Sequence, residues 1–220
     1  MHSRMTCDIA KPISLVQIAE LLTPFVAPAA LTLSQVSSIR TYSDLLRKWN
    51  AKLNLTAIRD PHEIISRHFG ESLFAARQLF PSGDSRESVI DVGSGAGFPG
   101  LPLKLWSPNL ELTLIESHQR KATFLREVVR ALDLKSTVVL TQRAESVSIQ
   151  ADLVTLRAVE RFERILPIAF GLVKSGGRIA LLISEARVGR AQAALRNVTW
   201  KKQLPIPLTR NGIVLIGEKG

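Results

Sequence analysis

Apolar residues change their spacing part-way along the chain. In the first part Val36, Ile39, Tyr42, Leu45, Leu46, Trp49 and Leu53 recur at the three- and four-residue intervals of an amphipathic helix. Asp60-Pro61 then offers an N-cap acceptor followed by a proline at the first helical position, where a missing N–H costs nothing. From Ser88 onward the pattern is different: short apolar runs at 89–92, 112–115, 137–140, 153–156, 178–183 and 213–216 alternate with helical stretches such as 121–132 and 163–173. Strands alternating with helices predict an α/β chain with a parallel, doubly wound sheet and helices on both faces. Lys174-Ser175-Gly176-Gly177 reads as a helix stop leading into the fifth strand, and Leu204-Pro205-Ile206-Pro207 as an edge segment or loop, because proline cannot donate to a ladder. The expected division is a helical N-terminal extension over 1–85 and an α/β domain over 86–220, with no internal repeat or low-complexity tract.

The first strand runs directly into Asp91-Val92-Gly93-Ser94-Gly95-Ala96-Gly97-Phe98-Pro99-Gly100. Glycines at alternate positions let the backbone turn sharply and approach a ligand, with N–H groups able to face a polar cofactor. Two registers overlap here. Gly95 to Gly100 is a literal G-x-G-x-x-G, but the dinucleotide fingerprint wants its first glycine immediately after the strand. That residue is Gly93, and its register puts Phe98 where the last glycine belongs. An acid followed by Gly-x-Gly-x-Gly (Asp91, Gly93, Gly95, Gly97) instead matches the pattern of class I S-adenosylmethionine methyltransferases, whose Rossmann-like sheet agrees with the strand alternation. A Gly-rich turn with no ligand role is the plain alternative.

Glu116 ends the second strand at close to the ~20-residue separation at which a ribose-binding acid follows such a turn. Its carboxylate suits both ribose hydroxyls of an adenosine, or else it serves only as a helix cap. After the third strand, Ala144 and Glu145 could meet an adenine edge, unless Glu145 is an ordinary loop acid. After the fourth, Arg157 could grip a methionine carboxylate by a paired fork, reach nucleic acid, or simply pair with Glu160. No Asn/Asp-Pro-Pro-aromatic turn follows the fourth strand, which disfavours transfer to an exocyclic amine. The single cysteine, Cys7, is far from the sheet, which disfavours covalent attack on a pyrimidine. A ring nitrogen with a free lone pair, such as guanine N7, needs positioning and desolvation more than a general base, so no catalytic base is assigned.

Charge adds a partner. The net +10 divides along the chain as +2 over 1–85, 0 over 86–156 and +8 over 157–220. Arg157, Arg161, Arg164, Lys174, Arg178, Arg187, Arg190, Arg196, Lys201, Lys202 and Arg210 could form a phosphate-tracking surface, or just a solvated basic one. No apolar run is long enough to cross a bilayer, Met1 to Lys11 carries no evident secretory signal, and one cysteine forms neither an internal disulfide nor a Cys-rich zinc site. A cytoplasmic protein without metal or membrane partner is expected. A nicotinamide oxidoreductase and a non-catalytic RNA-binding protein are the rival classes.

Taken together, Asn54-Leu55-Thr56, the segment from His68 to Leu73, the loop from Asp91 to Leu103 with Phe98-Pro99-Gly100, Ile115-Glu116-Ser117, Lys121 with Phe124-Leu125, Arg143-Ala144-Glu145 and Arg157-Ala158 resemble the bacterial small-subunit ribosomal RNA methyltransferase G family, also called glucose-inhibited division protein B. The resemblance covers nearly the whole chain. It implies S-adenosylmethionine as cofactor and N7 methylation of one guanine of 16S rRNA; the expected partner is 16S rRNA or the small ribosomal subunit, with naked rRNA, an assembly intermediate and the complete subunit all open as substrate, and a monomer is expected. By matching motif, cofactor contacts fall on Gly93, Phe98, Glu116, Ser117, His118, Ala144, Glu145 and Arg157, beside the turn glycines Gly95 and Gly97. The chain departs from the family's usual residues at Glu71, commonly Asp, and at Leu156, commonly Ser. His68 reads as a structural histidine and Lys121 equally as a solvated side chain.

Overall fold

The computed structural model describes residues 13–158 and 161–220, so the amino-terminal reading with Cys7, and the proposed Arg157 partner Glu160, lie outside the described residues. Ser14 opens α1 (Leu15–Val26) and Thr32 opens α2 (Leu33–Leu53) by the same device. Each hydroxyl accepts the N–H of the glutamine three residues on, and that glutamine's side chain accepts the cap residue's own N–H. α2 ends at Asn54, which takes the left-handed conformation with φ 48°. Asp60 caps α3 (Pro61–Glu63) by accepting the Glu63 N–H at 2.9 Å, as the Asp-Pro pair predicts. The chain then widens into π-helical turns over Ile64–Gly70 and narrows again into α4 (Glu71–Leu79).

The remaining elements are β1 (Ser88–Val92), α5 (Gly100–Trp106), β2 (Glu111–Ile115), α6 (Gln119–Ala131), β3 (Thr137–Leu140), β4 (Ala151–Arg157), α7 (Phe162–Gly171), β5 (Val173–Ser184), α8 (Val188–Ala194), β6 (Val198–Pro205) and β7 (Gly212–Lys219). They build one seven-stranded sheet in the order β3-β2-β1-β4-β5-β7-β6. β1 to β5 pair in parallel, whereas β7 runs antiparallel to both β5 and β6. The parallel sheet expected from the strand alternation therefore reverses at one end. Only residues 206–211 separate β6 from β7, too few for the crossover that parallel neighbours require. Pro205 ends β6 on the sheet edge, where its missing donor is harmless.

Two further boundaries differ from the sequence reading. The helical run expected to reach 173 stops at Gly171, because Val173 already pairs with Ala151. Lys174-Ser175-Gly176-Gly177 is not a helix stop but an excursion within β5: pairing passes from Ala151↔Val173 to Leu153↔Arg178, and Gly176 supplies a φ of 71°.

Alternate residues of the strands face opposite sides of the sheet and divide the core in two. Val89, Leu112, Leu153 and Ala180 face a cluster that also takes in Ile18, Leu22, Phe25, Tyr42, Phe69 and Leu73. Ile90, Val154, Leu156 and Ile179 face α7 and α8 through Phe162, Leu166 and Ala191. The described helices before the sheet thus share one continuous core with it. Their approach is close at Gly70, where an added methyl would meet the Phe25 ring at 2.6 Å. Gly70→Ala should lower unfolding free energy by about 1–3 kcal/mol through overpacking. Urea denaturation reads the change, and an unaltered midpoint would show that the α1 contact is slack.

Candidate functional site

The sheet order reverses between β1 and β4, and in such sheets the crevice beyond the strands' carboxyl ends receives ligands. A cavity of about 790 Å³ lies there. Its floor is the turn after β1, in which Gly93, Gly95 and Gly97 have φ values of 70°, 55° and 92°. Gly97 is excluded from any other identity by packing as well, since a Cβ would fall 2.4 Å from the Tyr42 hydroxyl. Gly100 belongs to the first turn of α5 and packs against the sheet: a methyl there would come within 2.7 Å of Leu114 and 2.9 Å of Asp91. The glycine that completes the literal dinucleotide pattern is thus a helix-packing residue.

The turn's amides are mostly committed to the protein. Gly93 and Ser94 donate to the Ile115 carbonyl at 2.9 and 3.0 Å, Gly97 donates to Ser94 at 2.6 Å, and Gly95 donates to the Glu116 carboxylate at 2.9 Å. What the turn offers a ligand is therefore a surface without side chains more than the row of glycine N–H donors read from the sequence. Glu116 is buried at the end of β2, and its other oxygen accepts the His118 N–H at 2.7 Å. A carboxylate accepts about four hydrogen bonds, so this one keeps capacity for ligand hydroxyls. Beneath the turn, Asp91 accepts from the Thr155 hydroxyl at 2.7 Å while its second oxygen has no partner. Burial pushes its pKa up to about 6 against the pull of the Thr155 hydrogen bond.

Ser117, His118 and Lys121 line one side of the cavity, and Ala144 and Glu145 another, from a 3₁₀ turn over Ala144–Ser146. Glu145 lies 3.8 Å from the Arg164 guanidinium. Phe98 lines the floor but turns little of its ring to the opening, being 7% exposed. It packs nearly parallel to Tyr42 and His68 at 5.3 and 4.9 Å between centroids, edge-on to Phe69 at 5.1 Å, with the Arg157 guanidinium 6.0 Å over its ring. The Tyr42 hydroxyl donates to the Ala96 carbonyl and so clamps the turn from α2.

Arg157 also lines the cavity, with its guanidinium tied into the helical segment before the sheet. It donates to Glu71 at 2.7 Å, to the Arg67 carbonyl at 2.9 Å and to the His68 carbonyl at 3.3 Å. Glu71 is thus the acid that Arg157 meets among the described residues. Burial pushes the Glu71 carboxyl up while Arg157 and Arg67 pull it down; burial likewise lowers Arg157 while Glu71 opposes it. His68 bonds through Nε2 to the Thr56 hydroxyl at 2.7 Å, and it lines the cavity as well. Its Nδ1 is buried without a partner.

Sequence reasoning did not assign Tyr42, Leu55, Thr56 or Arg161 to this site. Tyr42 looked like one more apolar position of α2, and Leu55-Thr56 carried signal only as part of a family segment. The C-terminal basic set is scattered: Lys174, Arg178, Arg190 and Lys201 each pair with an acid away from the cavity, whereas Arg157, Arg161 and Arg164 line it. Among the described residues no group of three His, Cys, Asp or Glu could hold a metal, and no helix is long and apolar enough to cross a membrane.

Residues 35–206 match the GidB family, described as rRNA small subunit methyltransferase G. The chain belongs to this family. A ribosomal RNA small subunit methyltransferase G of Roseiflexus castenholzii is 45% identical over 150 residues, covering 66% of this chain and 63% of that protein. One from Bacillus pumilus is 35% identical over 217 residues, covering 91% and 90%. The chain therefore spans less than two thirds of the Roseiflexus relative and nearly all of the Bacillus one. Among solved structures, a SAM-dependent methyltransferase from Aquifex aeolicus has a TM-score of 0.59 at 14% identity, covering 76% of this chain and 97% of that one. A predicted O-methyltransferase from Agrobacterium tumefaciens gives 0.55 at 19% identity, covering 68% and 81%. These likenesses establish the class I methyltransferase fold.

Burial, with the Arg157 and Arg67 charges, holds His68 down to a pKa of about 3 from its ordinary 6.5. The unfolded imidazole then takes up its proton first as pH falls, so the stability this group contributes is complete above pH 6.5 and is lost toward pH 3. His68→Gln should flatten the acid limb of stability over that window, as read by urea unfolding at several pH values. An acid limb as steep as in the parent would contradict the neutral, buried imidazole.

Proposed function

We propose that the cavity holds S-adenosylmethionine together with one guanine of 16S rRNA, and that the protein methylates N7 of that base. The observation that carries this reading is the Glu116 carboxylate, fixed by the Gly95 and His118 amides at the wall of a cavity over the β1–β4 switch point, in a chain of the rRNA small subunit methyltransferase G family. The cavity's size suits a ligand of this class.

Each assigned residue has a chemical task. Gly93 and Gly95 keep side chains out of the floor, Gly97 leaves room for Tyr42 beneath it, and Phe98 fixes its shape through Tyr42 and His68. Glu116 takes the ribose hydroxyls, Ser117 and His118 flank them, and Ala144 and Glu145 address the adenine edge. Arg157, tied to Glu71 and to the Arg67 and His68 carbonyls, holds the wall against which the cofactor or the target nucleotide is oriented. The cofactor supplies an electrophilic methyl group on a positively charged sulfur. Guanine N7 already has a lone pair for it, so the protein's part is alignment and exclusion of water, with no proton to remove. The partner is the small ribosomal subunit or its rRNA, met in the cytoplasm by a monomer.

Incubation with labelled S-adenosylmethionine and small subunits from a strain lacking the modification should place label on N7 of one 16S guanine. Absence of label from 16S rRNA would sink this function. Glu116→Ala should weaken S-adenosylmethionine binding by about tenfold to a hundredfold, since loss of a charged acceptor costs roughly 1.5–3 kcal/mol. Calorimetry reads that loss, and an unchanged affinity would remove Glu116 from the ribose.

A further inference from the structure

Much of the positive charge of the last third of the chain is neutralised within the protein. Lys174 pairs with Asp152 at 2.8 Å, Arg178 with Glu87 at 2.6 Å, Arg190 with Glu163 at 3.3 Å and Lys201 with Glu218 at 3.1 Å. The cavity rim is different. Lys121, Arg143 and Arg161 all line it, and among the described residues no hydrogen bond or ion pair engages the charged end of any of the three side chains. Each follows a different strand: Lys121 in the first turn of α6 after β2, Arg143 at the head of the 3₁₀ turn after β3, and Arg161 immediately before α7 after β4. They form an arc of cations over the carboxyl ends of the strands.

Two details sharpen that arc. Arg164 on α7 lies 3.8 Å from Glu145, which places a cation beside the acid that lines the cavity there. Arg161 is held in the left-handed region with φ 51°, a conformation that non-glycine residues adopt at a cost and that clusters at functional sites.

We infer that Lys121, Arg143 and Arg161 clamp the RNA backbone phosphates on either side of the nucleotide whose base enters the cavity. The inference rests on the proposed function, because it takes RNA as the acceptor. A base can enter such a cavity only when it is splayed from its strand, so its own backbone must cross the rim, where unpaired cations meet it. The clamp carries no base readout. It fixes the register of the strand while the cavity walls choose the base.

The test is the double variant Arg143→Gln/Arg161→Asn, with asparagine chosen because it tolerates the left-handed conformation. Binding of 16S rRNA is measured across a salt series, KM and kcat are measured on small subunits, and S-adenosylmethionine affinity is measured by calorimetry. Loss of two phosphate contacts should lower the slope of log affinity against log salt by about 1.4, at roughly 0.7 per contact on a single strand. RNA affinity should fall at least tenfold at moderate salt and KM should rise, with cofactor affinity within twofold of the parent, which also shows that the variant is folded. An unchanged salt slope beside an active parent protein would overturn the clamp alone. Cofactor affinity falling in step with RNA affinity would overturn it by assigning these arginines to the cofactor. The triple variant Arg196→Gln/Lys202→Gln/Arg210→Gln is the competing arm: a loss there, with the rim double unaffected, moves the RNA to the β6 edge. A parent protein that neither binds nor methylates 16S rRNA would overturn the function and the clamp together.

Discussion

The contact on which this architecture turns is the one between Arg157 and the helical segment that precedes the sheet. A guanidinium leaves the carboxyl end of β4 and meets Glu71 and the carbonyls of Arg67 and His68. In a parallel sheet that strand end opens toward ligand, so this contact converts the N-terminal helices into a wall of the site. Burial of such a pair yields little net stability, because desolvation offsets most of the Coulombic gain. What it secures is position: His68 can pack on Phe98, and Thr56 can bond His68, only while the π-helical turns are held against β4.

A second unit is made by the turn after β1 and the acid after β2. The carbonyl of Ile115 receives two of the turn's amides and the carboxylate of Glu116 receives a third, so neighbouring strands β1 and β2 fix one another's ends. Positive φ at three glycines is what allows those amides to turn inward. The result separates two properties that the motif suggests as one. Shape comes from the turn, and polarity toward a ligand comes from Glu116.

Much of this was legible in the sequence. Strand and helix alternation, the place of the glycine turn after the first strand and of the acid at the end of the second, and the family were read correctly, because each is a local pattern or a short motif. The antiparallel end of the sheet was not, since the edge strand β6 is polar around Lys201-Lys202-Gln203 and shows no apolar run. Lys174-Ser175-Gly176-Gly177 misled for a related reason: glycines mark a positive φ equally well at a helix stop and in an interrupted strand. Tyr42 was hidden because a tyrosine at a core position of a helix has the spacing of a leucine, and its hydroxyl bond to Ala96 spans elements far apart in sequence. The same holds for Arg157 and Glu71, whose pairing no local pattern encodes.

Charge was the least legible property, for a physical reason. A run of basic residues in sequence locates a basic surface only if the acids that could neutralise it are elsewhere in space. Here Asp152, Glu87, Glu163 and Glu218 are brought against the C-terminal cations by the sheet and its helices. A paired cation that accepts a phosphate must first give up its carboxylate, and that competition cancels most of the attraction. An unpaired cation on a solvated rim faces no such exchange and releases counterions in full when phosphate arrives. The cations that matter for a polyanion are therefore those the fold leaves without acids, and in the described residues around this cavity two of the three, Lys121 and Arg143, come from outside the most basic stretch of the chain, which supplies Arg161 alone.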